Sequence, residues 1–398
     1  MRPTSRAGVS GQAESDRVRV IEVTEGFARG AVGFGGANAV LIMFLTVLLC
    51  CAAIAFVPGC AVARPHQLTT GDVVVHGGSL MRDGRPWIPH GFYQIAFEVA
   101  PANLKRADHG FWATAYRHYS PAEYPAMRRA GADSVRLQIS QAGADPRSPL
   151  FDHTFLERAL DAVASARRAG LTVIVSVQDE SHVPGDKPID LPDDGTRRVW
   201  REIAPRFVHD RGVLYELLNE PRLPPTPANW RRWAQAMNTT ISTVRATGSC
   251  NVVIADGLGV GEVIDGAPRL ADPQVAYAVH PYAHQADGQA RAAWDAKFGV
   301  FSQHAPVIVT EWESGGYYCD TDTPTSTVQF IQYLQQHQVG LEVGTWDWAP
   351  GGFGSARWNF PAEKESTFAG LTCHQKGYGL GKVVRDWYTT GIPPRSPL

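Results

Sequence analysis

The sequence predicts a closed barrel of eight parallel strands with helices outside, a (β/α)8 TIM barrel preceded by a small β-hairpin. Short apolar, β-branched runs alternate with helical patterns from residue 88 onward. Such alternation implies parallel strands joined by right-handed crossovers. Eight runs can be counted, and run after run ends in a polar or charged side chain. The count and the polar ends favour the closed barrel over an open, doubly wound sheet.

Taken in order, residues 1–36 are polar and Gly-rich without periodicity and read as a disordered tail. The segment 37–65 contains an apolar run, 39–57, whose only polar residue is Thr46. It is long for a cleaved signal and nearly long enough to span a bilayer. Arg19 and Arg29 lie before it, a bias that leaves the N-terminus inside and the remainder outside. An uncleaved anchor, cleavage after Ala61-Val62-Ala63 and lipidation at Cys60 all export the rest of the chain. The third unit, 66–398, carries the barrel. Runs 73–76 and 79–87, with Asp83-Gly84 between, predict the hairpin. The barrel strands are expected over 88–94, 134–139, 172–178, 213–221, 251–257, 275–282, 306–312 and 340–348. Helices are expected around Leu156, Leu160, Val163 and Ala164; around Val199, Ile203 and Phe207, ended or kinked at Pro205; and over 229–247, 290–302, 326–339 and 382–390. The stretches 96–121, 179–196 and 351–377 read as irregular loops.

The chain has 398 residues, 44% hydrophobic and 19% charged, with a net charge of −2. That is an ordinary globular balance, and it argues against a polyanion such as nucleic acid as partner. Eleven tryptophans are many for this length; they serve either a core or the apolar faces of sugar rings. The six cysteines, at 50, 51, 60, 250, 319 and 373, show no metal-ligand spacing. Either Cys319 and Cys373 pair, which leaves Cys250 odd, or all are free thiols.

Chemistry in such a barrel gathers at the C-terminal ends of the strands. Here those ends present Arg136, Gln178, Asn219 with Glu220, His280 with Tyr282, Glu311 and Trp346. Nothing about burial calls for a glutamate at the end of Tyr215-Glu216-Leu217-Leu218-Asn219-Glu220, or of Val307-Ile308-Val309-Thr310-Glu311. Two carboxyls brought into one pocket are the minimum equipment for cutting a glycosidic bond.

Leu218-Asn219-Glu220-Pro221, His280-Pro281-Tyr282, Thr310-Glu311-Trp312, Val135-Arg136-Leu137 and the opening Asp83-Gly84-Arg85-Pro86-Trp87-Ile88-Pro89-His90-Gly91 together resemble glycoside hydrolase family 5. This is a cellulase-like family of clan A barrels, and the likeness covers about residues 70–390. The resemblance implies a retaining, endo-β-1,4-glucanase-like hydrolase of a polysaccharide or oligosaccharide, acting as a monomeric catalytic domain without cofactor or metal. It implies Glu220 as acid/base and Glu311 as nucleophile, with Glu313 as rival. Arg136 and Tyr282 would hydrogen-bond the nucleophile, and His280 would lie near the acid/base. Asn219 would bind the sugar 2-hydroxyl, and Trp346, or else Trp348, would floor the subsite of bond cleavage. One position departs from the pattern: many cellulases of the family carry a histidine where Gln178 stands, and His182 is four residues on. That leaves the glutamates in place and puts the substrate in question. A non-catalytic carbohydrate-binding barrel and a transglycosylase or mannanase-type enzyme stand as alternatives. Gly257-Leu258-Gly259-Val260-Gly261 lacks the dinucleotide spacing and reads as a strand-end loop. Asn238-Thr239-Thr240 is a sequon inside a predicted helix.

Overall fold

Along one strand, Ser134, Arg136, Gln138 and Ser140 alternate with Val135, Leu137 and Ile139. The apolar set joins the layer between strands and helices, and the polar set turns inward. This period of two recurs around a closed ring. The computed structural model describes residues 71–105, 110–282, 291–312, 324–347, 372–373, 376–377, 380–393 and 395. Its first sheet is antiparallel: β1 (Val73–His76), β2 (Ser79–Arg82) and β3 (Arg85–Pro86). The expected hairpin is thus three short strands. The second turn places Asp83 at φ 53° and Gly84 at φ 74°, the left-handed pair that a tight two-residue turn needs.

The barrel strands are β4 (His90–Phe97), β5 (Ser134–Ser140), β6 (Thr172–Gln178), β7 (Val213–Glu216), β8 (Val253–Asp256), β9 (Val275–Val279), β10 (Val307–Trp312) and β11 (Gly340–Val343). Each pairs in parallel with the next, and β11 closes on β4. All eight expected strands are present. The four that were expected to run on to Pro221, Gly257, Tyr282 and Trp348 end one to five residues sooner, because their last residues leave the ladder to line the rim.

The helices are α1 (Gly110–His118), α2 (Glu123–Arg129), α3 (Gln141–Ala144), α4 (His153–Arg168), α5 (Asp194–Ile203), α6 (Pro227–Ala246), α7 (Arg291–Trp294), α8 (Val300–Ser302), α9 (Pro324–His337) and α10 (Leu380–Thr390). Helix α1 corrects the expectation of an irregular loop over 96–121. Helix α5 ends where expected: Pro205 follows it in a 3-10 turn, Ala204–Phe207. Helix α4 buries Leu156, Leu160 and Val163, whereas Ala164 is only half-buried. A five-residue π turn, Asp295–Gly299, joins α7 to α8. The sequon lies within α6.

Val73, Val75 and Leu80 of the small sheet pack on Ile174, Leu214, Ile254, Ala276 and Ile308, which line the barrel interior. The hairpin thereby plugs the N-terminal end, and polar chemistry is left to the opposite rim. Trp200 of α5 and Trp233 of α6 are buried, and their indole N–H groups donate to Leu217 O (2.9 Å) and Asp256 O (2.8 Å). These two tryptophans are core residues that clamp the ends of β7 and β8. Cys250 is disulfide-bonded, which corrects the expectation of an odd thiol there. The tail, the apolar run 39–57, Glu313, Cys319 and Trp348 lie outside the described residues. Among the described residues no helix is long and apolar enough to cross a membrane.

Candidate active site

Arg136 on β5 is fully buried, so each of its donors needs a partner. Its Nε and Nη2 donate to the two oxygens of Glu216 at 2.6 and 2.7 Å. Nη1 donates to Glu311 Oε1 at 2.5 Å. Nη2 also reaches Asn219 Oδ1 (2.6 Å) and Ser176 Oγ (3.0 Å). One guanidinium therefore ties β5 to β6, β7 and β10, and it engages the side-chain oxygen of Asn219.

Glu311 gains two further donors, Gln138 Nε2 at 2.8 Å and the Tyr282 hydroxyl at 2.8 Å. The Tyr93 hydroxyl lies 3.1 Å from that of Tyr282. Burial alone would raise the Glu311 carboxyl. The His280 ring, the Arg136 guanidinium and the Tyr282 hydroxyl outweigh it and hold the group below the ordinary glutamate range.

Glu220 follows β7 with its backbone at φ 51°. Its carboxyl lies 2.9 Å from His280 Nδ1. Burial, then the nearby Glu311 charge, push it up to about 8. Burial also lowers the His280 imidazole, so the ring is neutral near pH 7. Its Nε2 meets Thr310 Oγ1 at 2.9 Å, and that hydroxyl donates onward to Glu216. With Thr310 donating onward, this arrangement assigns the ring proton to Nε2 and leaves Nδ1 facing the Glu220 carboxyl. A carboxylate oxygen of Glu220, one of Glu311 and a His280 ring nitrogen all lie within 4.8 Å of one another.

The glycine-rich loop after β8 is a buttress. Gly261, at φ +74°, lies so close that a Cβ there would sit 2.9 Å from His280 Nδ1 and 3.4 Å from Glu220 Cγ. A second trio, Glu216, Asp256 and His280, also has donor atoms within 4.8 Å. It is buried, and Arg136 already supplies positive charge to Glu216.

Six residues expected from the sequence, Arg136, Asn219, Glu220, His280, Tyr282 and Glu311, meet in this one cluster. Trp346 does not join them. It is 4% exposed and packs on Phe92, with ring centroids 4.8 Å apart, in the layer outside the barrel. The Tyr93 ring lies over Gly344 instead, within 2.3 Å of where a Cβ would be. It fills the space at the end of β11 that the tryptophan was expected to line. Gln178 links two loops, its amide donating to Glu98 O and accepting from Glu180 N. His182 reaches Asp179 O at 3.4 Å.

Glu216, Gln138, Thr310, Tyr93 and Asp256 join the site without having been expected from the sequence. The apolar run Val252-Val253-Ile254-Ala255 ends in Asp256 just as the other runs end in glutamate, so that one was discoverable.

The sequence profile of the cellulase family, glycosyl hydrolase family 5, matches residues 97–352. Endoglucanase A of Ruminococcus albus is 26% identical over 226 residues, 52% of this chain and 62% of that protein. Endoglucanase E-5 of Thermobifida fusca is 28% identical over 226 residues, 52% of this chain and 44% of that protein. The chain thus spans 62% of the first of these relatives and 44% of the second. Among solved structures, a β-glucanase of Saccharophagus degradans in complex with cellotetraose superposes with a TM-score of 0.58 at 20% identity, covering 81% of this chain and 95% of that one. The match of the family profile to well over half of the chain makes this protein a member of glycosyl hydrolase family 5, the cellulase family.

Proposed function

We propose that the protein is a retaining β-glycanase acting on a β-1,4-linked glucan, with Glu311 as nucleophile and Glu220 as acid/base. The single observation that carries this reading is the pair itself: two carboxyls with oxygens within 4.8 Å and acidities driven in opposite directions. Retention needs a gap of about 5 Å, whereas inversion needs about 6.5–9.5 Å to admit a water.

In the first step the ionised Glu311 attacks the anomeric carbon while Glu220 gives its proton to the leaving glycosidic oxygen. In the second, Glu220 takes a proton from water as that water attacks the same carbon, and Glu311 leaves. Arg136, Gln138 and Tyr282 keep Glu311 charged and aimed. Asn219 has its oxygen engaged by Arg136, so its amide N–H groups are available to a sugar 2-hydroxyl. The substrate class draws support from the endoglucanase relatives and from the cellotetraose held by the S. degradans enzyme. The apolar run 39–57 supports an exported enzyme, which fractionation of expressing cells would test.

The deciding experiment replaces Glu220 and Glu311 separately by Gln and follows reducing-end release and product sizes on β-glucans and mannans. Each change is expected to lower turnover at least a hundredfold. Near-parental turnover by either variant on a substrate the parent cleaves refutes the assignment.

A further inference from the structure

Asp256 ends β8, fully buried, and neither catalytic step uses it. Its Oδ2 accepts the backbone N–H of Glu220 at 3.1 Å. Glu220 is a non-glycine residue in the left-handed region, φ 51°, which L-residues rarely adopt and which surrounding bonds must hold. The next contact along the chain, Val260 N–H to Pro221 O at 3.0 Å, comes from the loop after Asp256. The same Oδ2 lies 3.8 Å from His280 Nε2, on the opposite side of the imidazole from Glu220. Helix α6 locks the strand end through Trp233 Nε1 to Asp256 O.

We propose that Asp256 is a positioning residue: its buried carboxyl oxygen anchors the Glu220 backbone in the left-handed turn that aims the Glu220 side chain at His280 and Glu311. The inference rests on Glu220 being the acid/base. Burial, and then the Glu216 carboxylate beside it, hold the Asp256 carboxyl well above its ordinary range, and the bond from the Glu220 backbone N–H needs only an acceptor oxygen. Asparagine is therefore its faithful substitute, and leucine keeps the volume while removing the acceptor.

The test compares kcat/KM on an unactivated cello-oligosaccharide with that on a 2,4-dinitrophenyl cellobioside, whose leaving group needs no proton. Asp256→Leu is expected to lose roughly tenfold to a hundredfold on the oligosaccharide, within the reach of general acid catalysis, and less than about threefold on the dinitrophenyl substrate. Asp256→Asn is expected to recover most of that loss. Equal losses on both substrates, or no loss on either, overturn the proposal. The asparagine variant decides the matter even if the leucine variant does not fold. A selective loss of tenfold or more in Asp256→Asn means that charge, not the acceptor oxygen, matters, and also overturns it. Glu220→Gln run in parallel separates the two ideas. If that variant shows no preference for the dinitrophenyl substrate, the acid/base assignment itself has failed.

Discussion

Glu216 is the counter-charge on which the buried Arg136 guanidinium depends, and replacing it by Gln tests that dependence. The pair is fully buried, with contacts of 2.6 and 2.7 Å. Each charge-assisted bond is worth about 1.5–3 kcal/mol, and breaking a buried pair from one side costs about 3–5 kcal/mol. For a domain this large each kcal/mol lowers Tm by about 2 °C, so Glu216→Gln should melt about 6–10 °C below the parent. Arg136 would then have Glu311 as its remaining bonded carboxylate. The acid limb of the pH–rate profile should move down, and kcat should fall about a hundredfold as the nucleophile loses its aim. The control is Glu342→Gln. Glu342 is also buried, but it accepts from Ser134 Oγ (2.5 Å) and makes no ion pair among the described residues, and burial holds its carboxyl well above the ordinary glutamate range. A group whose folded pKa is raised costs stability as pH climbs above its unfolded value. The Glu342→Gln variant should therefore match or exceed the parent at pH 7, with the difference fading toward pH 4. Scanning calorimetry and pH–rate profiles read both. A melting point within about 2 °C of the parent for Glu216→Gln, or equal losses in the two variants, refutes the reasoning.

The parental kcat/KM should trace a bell. Activity is lost above about 8, where Glu220 gives up its proton, and below the ordinary glutamate range, where Glu311 gains one; an alkaline limb near 5 contradicts the assignment. Tyr282→Phe removes one donor from the ionised Glu311, so its acid limb should rise by about one pH unit in the same profile. Gly344→Ala would set a methyl within 2.3 Å of the Tyr93 ring. It should cost about 1–3 kcal/mol of stability by thermal melt, and it should lower kcat by moving the Tyr93 hydroxyl that backs Tyr282; parental values for both show that the ring gives way freely.

The alternation of Ser134, Arg136 and Gln138 with Val135, Leu137 and Ile139 is local, so the strand and its inward face were legible in the sequence. The same holds for Glu220, just after β7, and Glu311, near the end of β10. Glu216 and Asp256 stand in equally regular patterns, but alternation says only that a residue faces inward, not whom it meets. The expectation for Trp346 failed because β11 leaves its ladder at Val343, and Tyr93 from across the seam takes the space over Gly344. Helix α1 was missed because Gly110–His118 is only nine residues long and opens on a glycine, so its local signal is brief.

Sequence alone thus determined the strand count and which polar side chains stand at the strand ends, Glu220 and Glu311 among them, since both arise from short-range patterns of polarity. Tertiary structure decided the partners: Arg136 between Glu216 and Glu311, His280 against Glu220, and Asp256 beneath it. Ring closure sets which strand ends face one another. Burial together with those partners, neither of which a linear pattern contains, then drives two chemically identical carboxyls to opposite protonation states.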